Sequence, residues 1–264
     1  MKKKAFVIIP MAAVLCVAFL AMAAQCRNPQ PARQADTLQL ELPAASEAED
    51  IIVYEGFTVA YNHTTLVPDW EAYELTAQEL VQTYTGKGSQ FSRDPNVKGR
   101  QSSREDYSHS GWDKGHMVPK ADLRWSEKAY WQSHFFTNIC PQNHDLNGQD
   151  WCNLEKKVRQ WARRFGRVYV VCGPIFDSCA HGTIGAAHVA IPDAFFKALL
   201  VPCGDSYAAI AFTFANDSSR QPLRSRACTV DQLEALLSRD LFPLLDDAVE
   251  STVESHLDLP LWQL

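Results

Sequence analysis

An α+β fold, with a mixed, mainly antiparallel sheet flanked by helices, is what this 264-residue sequence predicts. Three observations carry the reading. Apolar residues make up 46% of the chain, enough for an ordinary globular core. Short runs rich in β-branched and aromatic residues recur from Ile51 to Ala215. They mix with helical patterns without the regular strand–helix–strand alternation of a doubly wound sheet, and no internal repeat is visible.

The elements follow in order. Residues 1–25 carry Lys2, Lys3 and Lys4, then an uncharged apolar run from Ala5 to Ala24. With small residues at Ala21, Ala23 and Ala24, this reads as an export signal. A retained membrane anchor is the alternative, since about 20 apolar residues span a bilayer; lipidation at Cys26 is a third. Residues 26–50, rich in Ala, Pro, Gln and acidic side chains, read as a flexible linker, and the folded domain as 51–264.

"IIVYEGFTVAYN" predicts strands. "TAQELVQTY" opens with a capping box, Thr76 to Glu79, and predicts a helix. Residues 86–115 read as a long loop. Trp151, Leu154, Val158, Trp161 and Phe165 recur at spacings of three and four, the stripe of an amphipathic helix. On an ideal helix Asn147 and Glu155 stand about 80° apart and reach one region. "RVYVVCGPIF" predicts a strand stopped by Gly173 and Pro174. "HVAIP", "FKALLV" and "YAAIAFTFA" predict further strands, with Lys197 a strand-end charge. "TVDQLEALLSRDL" predicts a helix capped by Thr229 and Gln232.

The formal charge is −6, and −9 once the three leader lysines are lost. The average hides a split. From Arg93 to Arg167 there are 14 Lys and Arg against 9 Asp and Glu; from Asp205 onward there are 4 against 10. A polyanion responds to the local field, so an acidic average does not exclude a nucleic-acid partner. A solvated helix face is the plainer explanation of the basic segment. The expected folded domain holds six of the eight cysteines (Cys140, Cys152, Cys172, Cys179, Cys203 and Cys228), which permit up to three disulfides in an oxidising compartment. None is spaced like a zinc or redox pair.

The chemistry centres on His116, in "SGWDKGHMVPKAD". Phosphodiester hydrolysis needs a base for water, positive charge for the transition state, and help for the leaving oxygen. Histidine suits the first role. A divalent cation suits the others. Magnesium keeps several waters, so one or two protein oxygens suffice. Asn147 and Glu155 supply such oxygens. His134, His144 and Asp145 fit no standard zinc spacing. His188 reads as structural, and Trp112, Trp125 and Trp131 as core rather than base-stacking platforms.

Several motifs in order then resemble the DNA/RNA non-specific endonuclease family, the endonuclease G-like enzymes. They are Asp113-Lys114-Gly115-His116, then Asn138 with Pro141 and Gln142, then Leu146-Asn147 with Trp151, Leu154 and Glu155. The likeness covers roughly residues 52–215. It implies a ββα-metal catalytic motif: two strands and a helix holding one hydrated Mg2+, with Mn2+ an acceptable substitute. It implies DNA and RNA substrates and 5′-phosphate ends. Matched residue by residue, His116 is the general base, Asn147 the direct metal ligand, Glu155 a carboxylate on metal-bound water, and Asn138 a polar support. Lys114 stands where the family usually has arginine; it keeps a phosphate contact but lacks the bidentate fork. Some members have an arginine just before the segment matching "FSRDP". Gly88 or Ser89 occupies that place here, leaving Arg93, Arg100 or Arg104 to substitute. Two other readings stand beside this one: an inactive nucleic-acid-binding module and a phosphodiesterase or phosphatase of small phosphoesters.

Overall fold

A computed structural model describes residues 39–81, 83–85, 90–177 and 181–264. The leader, most of the linker, Cys26, Cys179, Gly88 and Ser89 lie outside the described residues. Among those described, no helix is long and apolar enough to cross a membrane.

The strands are β1 (Asp50–Val53), β2 (Thr58–Asn62), β3 (Val67–Thr76), β4 (Asp113–His116), β5 (Ile139–Gln142), β6 (Arg167–Ile175), β7 (Thr183–Ile184), β8 (Val189–Ala190), β9 (Ala194–Cys203), β10 (Ser206–Ala215) and β11 (Ala227–Cys228). The helices are α1 (Arg104–Tyr107), α2 (Glu127–Gln132), α3 (Cys152–Phe165), α4 (Leu223–Arg226), α5 (Val230–Leu237), α6 (Asp247–Glu254) and α7 (Leu259–Trp262). Seven strands form one sheet in the order β1-β2-β3-β6-β9-β10-β11, every pairing antiparallel. β4 and β5 form a separate hairpin. The α+β class with a mainly antiparallel sheet therefore holds.

Strand alternation gives the sheet two buried faces. Val168, Val170 and Cys172 of β6 join the core that holds Met117, Trp151, Leu154 and Val158. Tyr169 and Val171 point the other way, into a core with Val230, Leu233 and Val253. The β4–β5 hairpin and α3 thus cover one face, and α5 and α6 the other.

Four local expectations are corrected. The Thr76–Glu79 box forms its hydrogen bonds, Thr76 N–H to Glu79 Oε2 at 2.7 Å and Glu79 N–H to Thr76 Oγ1 at 3.2 Å, yet residues 77–81 make turns. Cap chemistry alone does not propagate a helix that lacks a packed apolar face. Strand β6 runs through Gly173 and Pro174 rather than stopping there. A Cβ on Gly173 would lie 2.7 Å from the Asp69 carbonyl, so glycine serves close strand approach. Residues 86–115 hold α1 and most of β4. The last part of the expected linker is packed: Leu40 is buried, and Glu49 receives Arg239 at 2.6 Å and Trp70 Nε1 at 3.1 Å.

The cysteines also differ from a three-disulfide framework. Cys140, Cys152, Cys172 and Cys228 are free thiols, and Cys140 and Cys172 are core residues. Cys203 is disulfide-bonded.

Candidate active site

The site is built on the β4–β5 hairpin and the entry to α3. His116 ends β4, paired with Ile139 of β5. One step earlier, Gly115 lies against Gln142: a Cβ there would sit 2.2 Å from its Oε1 and 2.6 Å from its Cβ. Only glycine lets the two strands approach this closely beside the histidine.

The backbone that follows His116 is held from several directions. The Met117 N–H donates to the Asn138 carbonyl at 3.1 Å. The Met117 carbonyl accepts Lys197 Nζ at 3.2 Å and the Cys172 thiol at 3.4 Å. The Val118 N–H donates to Asn138 Oδ1 at 2.8 Å and to Glu71 Oε2 at 3.2 Å. Asn138 Nδ2 donates to the Val118 and Ser133 carbonyls at 2.9 and 2.8 Å. Trp151 Nε1 donates to the His116 carbonyl at 3.2 Å, joining the hairpin to the helix entry. Asn138 is fully buried and its amide is spent on this bracing.

The imidazole sits among aromatic rings. Phe91 and His134 lie 5.3 and 5.4 Å from it, centroid to centroid. Its Nε2 is buried without a partner. Burial, helped by the neighbouring His134 and Lys120, pulls its pKa down to about 3, so the ring is neutral at physiological pH.

Asn147 lies in a π-helical turn, Leu146–Trp151, that leads into α3. Such wide turns frequently mark functional positions. The turn also means that the ideal-helix angle between Asn147 and Glu155 does not apply. Asp113, at the start of β4, accepts Asn147 Nδ2 at 2.9 Å and His144 Nδ1 at 3.0 Å. Tying down the amide nitrogen leaves the Asn147 side-chain oxygen as the free end. On α3, burial raises Glu155 to about 7, with Lys197 and Arg159 opposing the shift and Asp122 adding to it. Its carboxylate accepts no hydrogen bond from a described residue.

Beneath the hairpin lies a polar network that sequence reasoning missed. Lys197 is fully buried in mid-strand, not at a strand end, with its ammonium 4.7 Å from the Trp151 ring centroid. Glu71 is fully buried and raised by desolvation. Asp122, also buried, accepts Arg159 at 2.6 Å and the Tyr73 hydroxyl at 3.0 Å. A lone lysine inside the apolar run "FFKALLV" was the available signal: a charge there is exposed by a sheet edge or buried for a purpose.

The remaining expected residues are more dispersed. Lys114 holds its ammonium 5.7 Å from the centroids of both Phe91 and Tyr107. Arg93, Arg100 and Arg104 are exposed. Arg93 follows Phe91 by two residues, which places it on the segment beside His116; Arg100 instead donates to the Ala187 carbonyl. Trp112, Trp125 and Trp131 are partly buried.

The chain is 33% identical over 218 residues to Nuclease C1 of Cunninghamella echinulata var. echinulata, across 75% of this chain and 85% of that one. It is 32% identical over 157 residues to human mitochondrial endonuclease G and 32% over 176 residues to the mitochondrial nuclease EXOG of Danio rerio. Those matches cover 56% and 62% of this chain but about half the length of the relatives, 53% and 51%. A chain in the crystal structure of the EndoG/EndoGI complex superposes with a TM-score of 0.73 at 21% identity, over 84% of this chain and 96% of that one, which establishes the same fold. The family model described as DNA/RNA non-specific endonuclease matches residues 34–247, and with four-fifths of its length so matched the chain belongs to that family.

Proposed function

We propose that this chain is a magnesium-dependent endonuclease that hydrolyses phosphodiester bonds of DNA and RNA with little sequence preference and leaves 5′-phosphate ends. The observation that carries the reading is a neutral imidazole, fixed by a braced hairpin, at the same helix entry as two oxygen donors left open, those of Asn147 and Glu155.

His116 is the general base. With Nε2 buried, Nδ1 is the nitrogen that water can reach, and its lone pair takes the proton of the attacking water. The donor set suits a hard cation. Asn147 offers a neutral oxygen oriented by Asp113, and Glu155 offers a carboxylate to the waters such an ion retains. Magnesium, or manganese in its place, would supply charge to the phosphate and to the departing 3′ oxygen. Lys114 gives a point charge for phosphate, with Arg93 on the neighbouring segment. Arg100 and Arg104 serve at most the outer path of the strand. Asn138 is a positioning residue that acts through Met117 and Val118. The leader supports export, with cleavage, anchoring or lipidation as its outcomes.

Plasmid nicking with and without EDTA, run beside RNA and a small aryl phosphodiester, tests the proposal. Cleavage of both polymers that EDTA abolishes and magnesium restores is the expected result. Binding without cleavage, or turnover of the small ester alone, would replace it with one of the two other readings.

A further inference from the structure

On the sheet face opposite His116, three carboxylates converge between α5 and α6. One oxygen each from Asp231, Glu234 and Glu254 lies within 4.8 Å of the others. Glu254 is only 2% exposed, and its Oε1 has no hydrogen-bond partner. Glu234 is braced by the Leu241 N–H, which donates to its Oε1 at 2.7 Å. Asp240 and Glu250 stand close enough to add to the field, and the charges acting on Glu254 are all carboxylates. An orphaned, buried carboxylate in a ring of like charge stays ionised only where a cation compensates it, and otherwise takes up a proton.

We propose that Asp231, Glu234 and Glu254 bind a divalent cation of calcium's size, fastening α6 to α5. The donor set favours calcium. Three carboxylates with an irregular shell suit an ion that takes about six to eight oxygens in flexible geometry, whereas magnesium demands a near-ideal octahedron and is usually held by one or two carboxylates and several waters. Three protein oxygens leave the rest of the shell to water, as the exposure of Asp231 permits. Both helices pack their apolar sides into one core, Val230 and Leu233 from α5 and Val253 from α6, so the ion would tie together two helices that share that core.

The test uses the full chain carrying Asn147→Ala, so that the other candidate metal site is silent. Calcium chloride titrated calorimetrically into EDTA-treated, desalted protein should bind about one equivalent, with a Kd on the order of 10⁻⁴ M, the range of extracellular sites. The melting temperature should rise with calcium, and magnesium should bind at least tenfold more weakly. Asp231→Asn and Glu254→Gln should each weaken calcium at least tenfold and flatten the melting response. Because Asp231 is exposed, its variant keeps the test valid if Glu254→Gln fails to fold. No heat and no melting shift up to about 10 mM calcium would overturn the proposal, as would a response that both substitutions leave unchanged or a site that prefers magnesium.

Discussion

Lys197 Nζ donates to the carbonyl of Met117 at 3.2 Å, from the floor of the sheet to the residue immediately after His116. The same ammonium opposes the upward shift of Glu155. One buried charge therefore acts on both halves of the site: by a hydrogen bond on the backbone that carries the imidazole, and through its field on the carboxyl of Glu155. Lys197→Met removes it while nearly keeping volume. Breaking one side of a buried charge network costs about 3–5 kcal/mol. Urea unfolding should show a loss of that order, and the pH at which Glu155 ionises should move up. A variant as stable as the parent, with an unmoved pH profile, would mean the lysine is not part of this network.

His116→Ala should lower turnover by about 10²–10⁴, the usual worth of a general base, with fold and DNA binding retained. Circular dichroism and binding to uncut DNA on the same preparation separate lost chemistry from lost protein. Parent-rate cleavage by the folded variant would end the assignment.

Asn147→Ala should reduce cleavage most steeply at low magnesium, and raising magnesium should recover part of it. An unchanged magnesium dependence would remove Asn147 from the metal. Loss of the Asp113 charge through Asp113→Asn should act more mildly in the same direction, because Asp113 acts through the Asn147 amide.

For pH, two groups move in opposite directions. His116 is held at about 3 against its ordinary 6.5, so the unfolded chain binds a proton that the folded one refuses. The stability this contributes is complete above about 6.5 and is lost as pH falls toward 3. Melting curves of His116→Asn and the parent should therefore converge, then favour the variant, as pH is lowered. Parallel curves would contradict the shift. In activity, the imidazole is already neutral at pH 5, so a rise near neutrality reports Glu155, whose carboxyl sits at about 7 before metal binds. That limb should move to lower pH as magnesium is raised.

Much of this was legible in the sequence because it rests on short-range pattern. The stripe Trp151–Phe165 gave α3, and the order of motifs around His116, Asn147 and Glu155 placed the hairpin and helix together. What escaped depended on partners far apart in the chain. Glu71 and Lys197 are 126 residues apart, and neither has a local pattern that announces a shared buried site. Gly173 and Pro174 read as a strand stop, because the Asp69 backbone that makes glycine necessary lies on another strand. Thr76–Glu79 read as a helix start, because the cap was visible and the absence of a core for that helix to bury against was not. Leu40 sat in a compositionally loose segment, and only the receiving core distinguished it from linker.

The free thiols carry a consequence for the conditions under which the hairpin can take its shape. Cys140 lies inside the reactive hairpin and Cys172 beneath it, both reduced and sealed from solvent, and neither awaits oxidation to take its place. Those two positions are thus filled without an oxidant, whereas Cys203, at the end of β9 and against the same core, is disulfide-bonded. For the endonuclease proposed above, the packing of the hairpin would form under reducing and oxidising conditions alike, and the Cys203 bond would be what distinguishes the two.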